Sequence, residues 1–582
     1  MAGLTFPDDR RYHPEHLWAQ KDDDGAWRIG ITDFAQQQLG EVIYVELPET
    51  GAHFAQGESC ATIESAKVAS EVIVPLSGTV LEVNQALADA PETLNADPYG
   101  AGWLARIAAD DPAEPTLTVI GGGPGGYTAA FAAARAGAAV TLVEADRLGG
   151  TCLNQGCIPT KTLKASAEAL EAARRLAEFG IAGGGDPVPD MPAVLARKRK
   201  VADLLRGGLE KTCAQLKVAV LHGRGEVASA GLVRVHAADG PVREVPGDRV
   251  ILATGSRTLQ LPALPVDHAR IITSDDALEL DRVPGRLLVV GGGVIGCELA
   301  GIFAAFGSRV TVVEGMDRLL PIPVVDADLS KLLLREMKKR GIACELARVA
   351  RQAEVTPSGV AVALQQSPFV PAGPGPARPD SVVEADVVLV AVGRAPNTEG
   401  LGLEAAGVAT DRRGWIQADA RCETSVPGIY AIGDALGPSR VMLAHVAAME
   451  GLVAARNCLG AAEEMDYSAV PSAIFTSPEI ASVGLSEAQA REQGRDVACP
   501  QSALRALGKA QAMGELAGLF KLVAEAGTGR LLGAHLAGAH VTDIIAEPTL
   551  ALTLGATVQD LARTIHAHPT LAEGVFETAH LL

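Results

Sequence analysis

Leu117-Thr118-Val119-Ile120-Gly121-Gly122-Gly123-Pro124-Gly125-Gly126 is an apolar run of strand length that ends in glycines. The spacing Gly121-x-Gly123-x-x-Gly126 predicts a strand, a tight turn and a helix whose N-terminus can receive a pyrophosphate, because glycine lets the backbone turn sharply and approach a ligand. Glu144 ends the next strand, 23 residues after Gly121, where a carboxylate can accept hydrogen bonds from ribose hydroxyls. The pattern occurs twice: Leu287 to Val290 lead into Gly291-x-Gly293-x-x-Gly296, and Glu314 again lies 23 residues on. One such motif is a weak signal. Two copies, each with strand, helix and acidic residue in place, imply two bound dinucleotides, although the glycines do not say which copy takes which.

Around these two Rossmann-type units the chain is long, 582 residues, which at about 150 per domain implies roughly four domains. Hydrophobic residues are 48% and charged residues 21%, so global disorder is excluded. The formal net charge of -20 argues against nucleic acid or an anionic membrane as the main partner. The charge is uneven: residues 1–110 hold six Lys and Arg against eighteen Asp and Glu, which marks the front of the chain as a separate acidic module. Leu287 to Gly307 has the length of a membrane helix and only one charge, Glu298, but Gly291, Gly292 and Gly293 split it into strand, turn and helix. Met1 to Arg11 lacks the apolar core of a signal peptide, and a cytoplasmic protein is expected. Seven of the nine cysteines are scattered without pairing or metal spacing, as in a reducing compartment.

Residues 11–108 read as short strands with turns: Ala26 to Ile31, Val42 to Leu47, Cys60 to Glu64 and Ser70 to Val74. Residues 109–115 are polar with two prolines and read as a linker spanning at most about 25 Å. From Leu117 onward strands alternate with helices, the pattern of a parallel α/β sheet. Pro368 to Pro379, rich in Pro and Gly, reads as a loose hairpin tip.

The segment Gly149-Gly150-Thr151-Cys152-Leu153-Asn154-Gln155-Gly156-Cys157-Ile158-Pro159-Thr160-Lys161 follows directly on the first unit. Two thiols separated by four residues can close a small disulfide loop, and a thiolate near a helix N-terminus has a lowered pKa. This segment resembles the redox-disulfide signature of the flavin-dependent disulfide reductases, whose first Rossmann unit holds FAD and whose second holds NAD(P). Further motifs agree with that family: Ala253-Thr254-Gly255, Gly393-Arg394-x-Pro396-Asn397, and Tyr430-Ala431-Ile432-Gly433-Asp434, whose Asp would hold the ribityl chain of FAD. His566-Ala567-His568-Pro569-Thr570-Leu571-Ala572-Glu573 most resembles the dihydrolipoamide dehydrogenase branch. There the His before Pro is the acid/base, oriented by the Glu five residues later. The resemblance also pairs Lys161 with Glu298 beside the flavin. Gln155 and Val446 depart from the usual pattern, and neither removes a group the chemistry requires. Glu314 would accept from a free 2′-OH and repel a 2′-phosphate, which favours NAD over NADP, although Arg318 lies nearby in sequence.

Ile63-Glu64-Ser65-Ala66-Lys67-Val68-Ala69-Ser70 is a turn between two strands, and a Lys there is usually only solvated. With Gly30-Ile31-Thr32-Asp33, Tyr44-Val45-Glu46-Leu47-Pro48 and Asp97-Pro98-Tyr99-Gly100, it resembles the H protein of the glycine cleavage system from about Tyr12 to Ile107. In that family the Lys matching Lys67 carries lipoate. The C-terminal helical part of that family is missing here.

The expected architecture is α/β: a small all-β lipoyl domain (1–108), the linker (109–115), an FAD-binding domain (116–262), an NAD-binding domain (263–390), a central FAD segment (391–463) and an α+β dimerisation domain (464–582). The expected catalytic set is Cys152, Cys157, His568, Glu573, Lys161 and Glu298. FAD would be held by Gly121, Gly123, Gly126, Glu144, Lys161, Ala253, Thr254, Gly255 and Asp434, and NAD by Gly291, Gly293, Gly296, Glu314 and Gly393, with no metal. The expected assembly is a homodimer serving lipoyl-bearing proteins. Alternatives are a reductase of glutathione or mercuric ion, or a lipoyl carrier in a sulfur pathway; the ending Glu577 to Leu582 lacks the Cys pair of a mercury enzyme.

Overall fold

The computed structural model describes residues 4–582 except 8, 14, 23, 111–114, 184, 239 and 372–377. It divides into two compact units, with the boundary in the chain between Pro115 and Thr116.

The front unit is mainly β. One sheet joins β1 (Arg11–His13), β2 (Leu17–Lys21), β3 (Trp27–Ile31), β9 (Ala105–Ala109), β8 (Gly78–Val83) and β5 (His53–Phe54), and a second joins β4 (Val42–Glu46), β6 (Ser59–Ser65) and β7 (Ala69–Ile73). Their inner faces meet in a core that includes Ile29, Ile63, Val74 and Leu104, all shut off from solvent. A short helix, α1 (Asp33–Leu39), starts where the Thr32 side chain accepts the N–H of Ala35 at 3.2 Å. Strand β9 runs through Ala109, and Asp110 donates its N–H to Ser77 at 3.1 Å and faces His53 at 2.6 Å. The ordered strand thus overlaps the first residues expected to be linker, because the Gly78–Ala109 pairing continues to the strand end. Asp111 to Glu114 lie outside the described residues.

The rear unit is built on two parallel five-stranded sheets. The first contains β10 (Thr116–Ile120), β11 (Ala139–Glu144), β12 (Ala219–His222), β13 (Arg249–Leu252) and β22 (Ile429–Ala431), in the order β12-β11-β10-β13-β22. Helix α2 (Pro124–Arg135) leaves the end of β10. The second sheet repeats the plan with β14 (Ile271–Ile272), β15 (Arg286–Val290), β16 (Arg309–Glu314), β17 (Ala343–Leu346) and β21 (Val387–Val390), in the order β14-β21-β15-β16-β17. Helix α6 (Val294–Phe306) follows β15, so the apolar stretch from Leu287 is a strand, a turn and a helix. Among the described residues no helix is long and apolar enough to cross a membrane. Between β11 and β12 in the chain come α3 (Gly150–Asn154), α4 (Cys157–Arg174) and α5 (Met191–Gln215), and Leu163, Ala167 and Leu170 of α4 pack in one core with α6. An antiparallel meander, β18 (Arg348–Thr356), β19 (Gly359–Gln366) and β20 (Ser381–Ala385), flanks the second sheet. The Pro/Gly-rich stretch connects β19 to β20, and its residues 372–377 lie outside the described ones.

Helix α7 (Ala444–Cys458) packs on α2 at glycines: a Cβ on Gly451 would lie 2.5 Å from the Gly125 carbonyl oxygen. The C-terminal part is an antiparallel sheet that includes β23 (Ser472–Ile474), β24 (Glu479–Gly484), β25 (Leu519–Glu525) and β26 (Leu531–Gly538), with α8 (Glu573–Ala579) against it. Lys521 ties this part to the second sheet's domain; its ammonium is buried and meets Asp326 at 3.0 Å, Asp328 at 2.9 Å and Glu487 at 2.8 Å.

Candidate active site

The two glycine turns are near copies. Gly121 and Gly291 both have left-handed backbone, φ +107° and +113°, and each donates its N–H to the neighbouring strand at 2.8 Å. A Cβ on Gly126 or Gly296 would lie 1.8 or 1.9 Å from the carbonyl oxygen of Gly121 or Gly291, so helix and turn can close only over glycine. Glu144 accepts the N–H of Gly122 at 2.7 Å and of Asp146 at 2.8 Å; Glu314 accepts that of Gly292 at 2.6 Å and of Met316 at 2.8 Å. Each carboxylate oxygen has lone pairs left for ribose hydroxyls. The position of a Gly293 Cβ meets nothing within 4 Å, which leaves the turn open to a phosphate. The Arg318 guanidinium is turned to Val325 O, Ile322 O and Ser330 Oγ, to which it donates.

On the first unit the Thr254 hydroxyl is buried without a partner among the described residues, an orphan that a bound group in the Ala253-Thr254-Gly255 turn would satisfy. Asp434 accepts the Ser256 hydroxyl at 2.6 Å, and Arg394 donates to Ser256 Oγ at 2.5 Å. Beside it, Gly433 donates to the fully buried Glu450 at 2.6 Å, and Tyr467 donates to the same carboxyl at 2.7 Å. Burial raises the pKa of Glu450. Ser256, Glu450 and Tyr467 carry no sequence signal of their own; only the fold brings them to the Gly433–Asp434 turn. Gly393, with φ +133°, accepts the N–H of Leu259 at 3.1 Å. The groups present therefore fit a dinucleotide on each unit.

Cys152, half-buried, lies on α3, and Cys157, exposed, opens α4. A hydrogen bond from Cys152 holds the Cys157 thiol down at about 7, against desolvation and with help from the Lys161 cation. The same hydrogen bond, burial and the Cys157 charge drive Cys152 strongly upward. Cys157 is thus the thiolate of the pair and Cys152 the thiol. One turn along α4, Lys161 Nζ meets Glu298 at 2.8 and 3.1 Å and lies 4.4 Å from the centre of the Phe475 ring. Glu298, on α6 and 4% exposed, also accepts the N–H of Phe475 at 2.9 Å. Phe475 was invisible in sequence as a member of this cluster because it belongs to the C-terminal part.

The two histidines near the end differ. His566 Nε2 faces Glu547 at 2.8 Å and its Nδ1 faces Thr564 O at 2.9 Å, so both nitrogens are taken. His568 is 77% exposed at the side chain, and its Nδ1 meets Glu573 at 2.8 Å. The Thr570 N–H, at 2.8 Å, and then His568 hold the Glu573 carboxyl below its usual range. Nε2 of His568 has no partner among the described residues and is left free for proton transfer.

In the front unit, Lys67 is exposed at the tip of the β6–β7 hairpin. The buried Ser65 shapes that tip: its Oγ accepts the N–H of Lys67 at 3.2 Å and of Val68 at 3.1 Å. A stiff turn that holds one lysine out in solvent suits a covalently carried group.

Residues 115–451 match the pyridine nucleotide-disulphide oxidoreductase family, 470–579 the dimerisation domain of that family, and 10–119 the glycine cleavage H-protein family. Over 465 residues, 80% of this chain and 96% of the other, the chain is 41% identical to a dihydrolipoyl dehydrogenase of Chlamydia muridarum. Over 477 residues, 82% and 98%, it is 39% identical to that of Bacillus subtilis. Among solved structures it is similar to LpdA of Mycobacterium tuberculosis, with a TM-score of 0.73 at 30% identity over 80% of this chain and 99% of that one. A second, the HOCl-induced flavoprotein disulfide reductase RclA of Escherichia coli, gives 0.70 at 28% identity over 80% and 100%. FAD and NAD are the cofactors of the dihydrolipoyl dehydrogenases, and the front unit fits covalent lipoate. The chain belongs to the pyridine nucleotide-disulphide oxidoreductases, among the dihydrolipoyl dehydrogenases, with an H-protein-like domain at its front.

Proposed function

We propose that the rear unit oxidises protein-bound dihydrolipoamide through Cys152, Cys157 and His568, with NAD as the final acceptor, and that the front unit carries lipoate on Lys67. The observation that carries this assignment is the placement of Cys152 and Cys157 at the α3–α4 junction with the Lys161–Glu298 pair one turn on, together with an exposed His568 anchored at Nδ1 by Glu573. His568 Nε2 takes the proton of one lipoyl thiol, and the thiolate attacks Cys152 Sγ of the oxidised pair. The Cys152–Cys157 bond breaks, and Cys157 leaves as the stabilised thiolate. The second lipoyl thiol then attacks the lipoyl sulfur of the mixed disulfide, and its proton passes to the departing Cys152 sulfur. Two electrons have then moved from the lipoyl dithiol to the cysteines, and the lipoyl disulfide is released. Glu573 anchors Nδ1 of His568, which fixes Nε2 as the base and stabilises the imidazolium that forms.

FAD, when bound at Gly121, Gly123, Gly126, Glu144, Lys161, Ala253, Thr254, Gly255 and Asp434, supplies the two-electron link between the cysteines and NAD. Lys161, held by Glu298, sets a cation on that side of the pair. Gly291, Gly293, Gly296, Glu314 and Gly393 receive NAD. The dimerisation domain supports a homodimer in which His568 serves the second copy's cysteines, and the scattered thiols fit the cytoplasm.

The test is NADH formation from dihydrolipoamide and NAD by the purified flavoprotein. NADH should form with NAD and far more slowly with NADP. Faster reduction of glutathione disulfide by NADPH would overturn the assignment.

A further inference from the structure

The connection after β19 brings an aromatic ring to the end of β16. Phe369 is 67% exposed, and a lone exposed apolar side chain is ordinary. What distinguishes this one is its anchoring. Phe369 donates its N–H to Ser367 Oγ at 3.1 Å. Ser367 is 3% exposed and donates its own N–H to Ala347 O at 2.9 Å. Ala347, at φ +54°, donates to Met316 O at 2.8 Å, and Met316 donates to Glu314 Oε1 at 2.8 Å. A chain of hydrogen bonds therefore runs from the Glu314 carboxylate to the Phe369 backbone.

The ring ends beside Gly315. A Cβ built on Gly315 would meet Phe369 ring carbons at 3.2 and 3.6 Å and Val349 Cγ1 at 3.4 Å. Gly315 has no left-handed φ, so its missing side chain provides space and not a special backbone shape. Gly315, Val349 and Phe369 thus form an apolar ledge one residue beyond Glu314.

In a dinucleotide the adenine is attached to C1′ of the ribose, next to the carbon whose hydroxyl a strand-end carboxylate accepts. A base has two π faces, and an aromatic ring is the side chain that stacks on one without regard to charge. We propose that Phe369 is a stacking platform for the adenine of NAD, with Val349 and Gly315 completing the ledge. The proposal rests on Glu314 as the ribose carboxylate. It makes Phe369 a determinant of nucleotide affinity.

The test uses the FAD-loaded protein and ADP-ribose, which carries the adenosine half and undergoes no redox chemistry. F369A should weaken ADP-ribose binding, measured by calorimetry, about tenfold. It should raise the KM for NAD by a similar factor with kcat unchanged, the pattern of lost uniform binding. Binding of nicotinamide mononucleotide should not change. F369W should bind ADP-ribose as well as the wild type does, and its added tryptophan emission should be quenched on binding. F369A binding within about twofold of wild type, or an unquenched F369W, would overturn the proposal. E314A separates the two levels: if E314A weakens ADP-ribose and F369A does not, only the platform is wrong, and if neither does, the nucleotide assignment of this site falls as well.

Discussion

Replacing Lys161 by Met removes the cation one turn after Cys157 and leaves the Glu298 carboxylate without its counter-ion, though still bonded to the Phe475 N–H. Residues four apart on a helix lie on one face with about 6 Å between side chains. At an effective dielectric near 20, unit charges about 6 Å apart interact by about 3 kcal/mol, or about two pH units. The Lys161 side chain is 30% exposed, which trims this to about one to two units. Lys161 lowers the Cys157 pKa and Glu298 raises it, so in the native pair the two partly offset each other. K161M removes the lowering charge and uncovers the raising one, so the pKa moves up from about 7. Below both midpoints, an upward move of about one to two pH units cuts the thiolate fraction, and with it the alkylation rate, about ten- to a hundredfold. Glu298→Gln removes the raising charge and should move the midpoint the other way, and the double variant should return toward wild type. The assay is iodoacetamide alkylation of Cys157 in the reduced protein against pH, with peptide mass separating Cys157 from Cys152. Midpoints all within about half a pH unit of wild type, or E298Q moving in the same direction as K161M, would refute the electrostatic account.

Cys157→Ser should abolish lipoamide-dependent NAD reduction while the purified protein keeps its FAD absorbance; loss of flavin with the fold intact would count against its role. Mixing Cys157→Ser chains with His568→Gln chains should restore activity through heterodimers with one complete site, and no recovery after verified subunit exchange would exclude a shared site. Lys67→Arg should remove the lipoyl mass increment from the native protein and leave turnover of free lipoamide unchanged. In the unaltered protein NADH should reduce the lipoyl group at a rate independent of protein concentration, since tethering gives millimolar effective concentration when the span permits contact; a rate proportional to concentration would mean that the arm serves other molecules.

The features readable from sequence were those that a few consecutive residues determine. Each glycine turn is dictated by backbone freedom within six residues, and the structure shows why, since a Cβ on Gly126 or Gly296 collides with the turn's own carbonyl. The strand-turn-helix character of the stretch from Leu287 and the exposed hairpin lysine at 67 follow from equally local patterns. Tertiary structure decided what lies far apart in the chain. Glu298 is 137 residues from Lys161 and 177 from Phe475, and no spacing rule joins them; the packing of α4, α6 and the C-terminal part does. Sequence placed His566 and His568 two residues apart as equal imidazoles, and the resemblance preferred the second. Burial against Glu547 and Thr564 occupies both nitrogens of the first, while Glu573 takes only one nitrogen of the second. A backbone turn is a local energy minimum that sequence can state, whereas a free nitrogen or a buried ion pair depends on which distant surfaces the chain has closed over it.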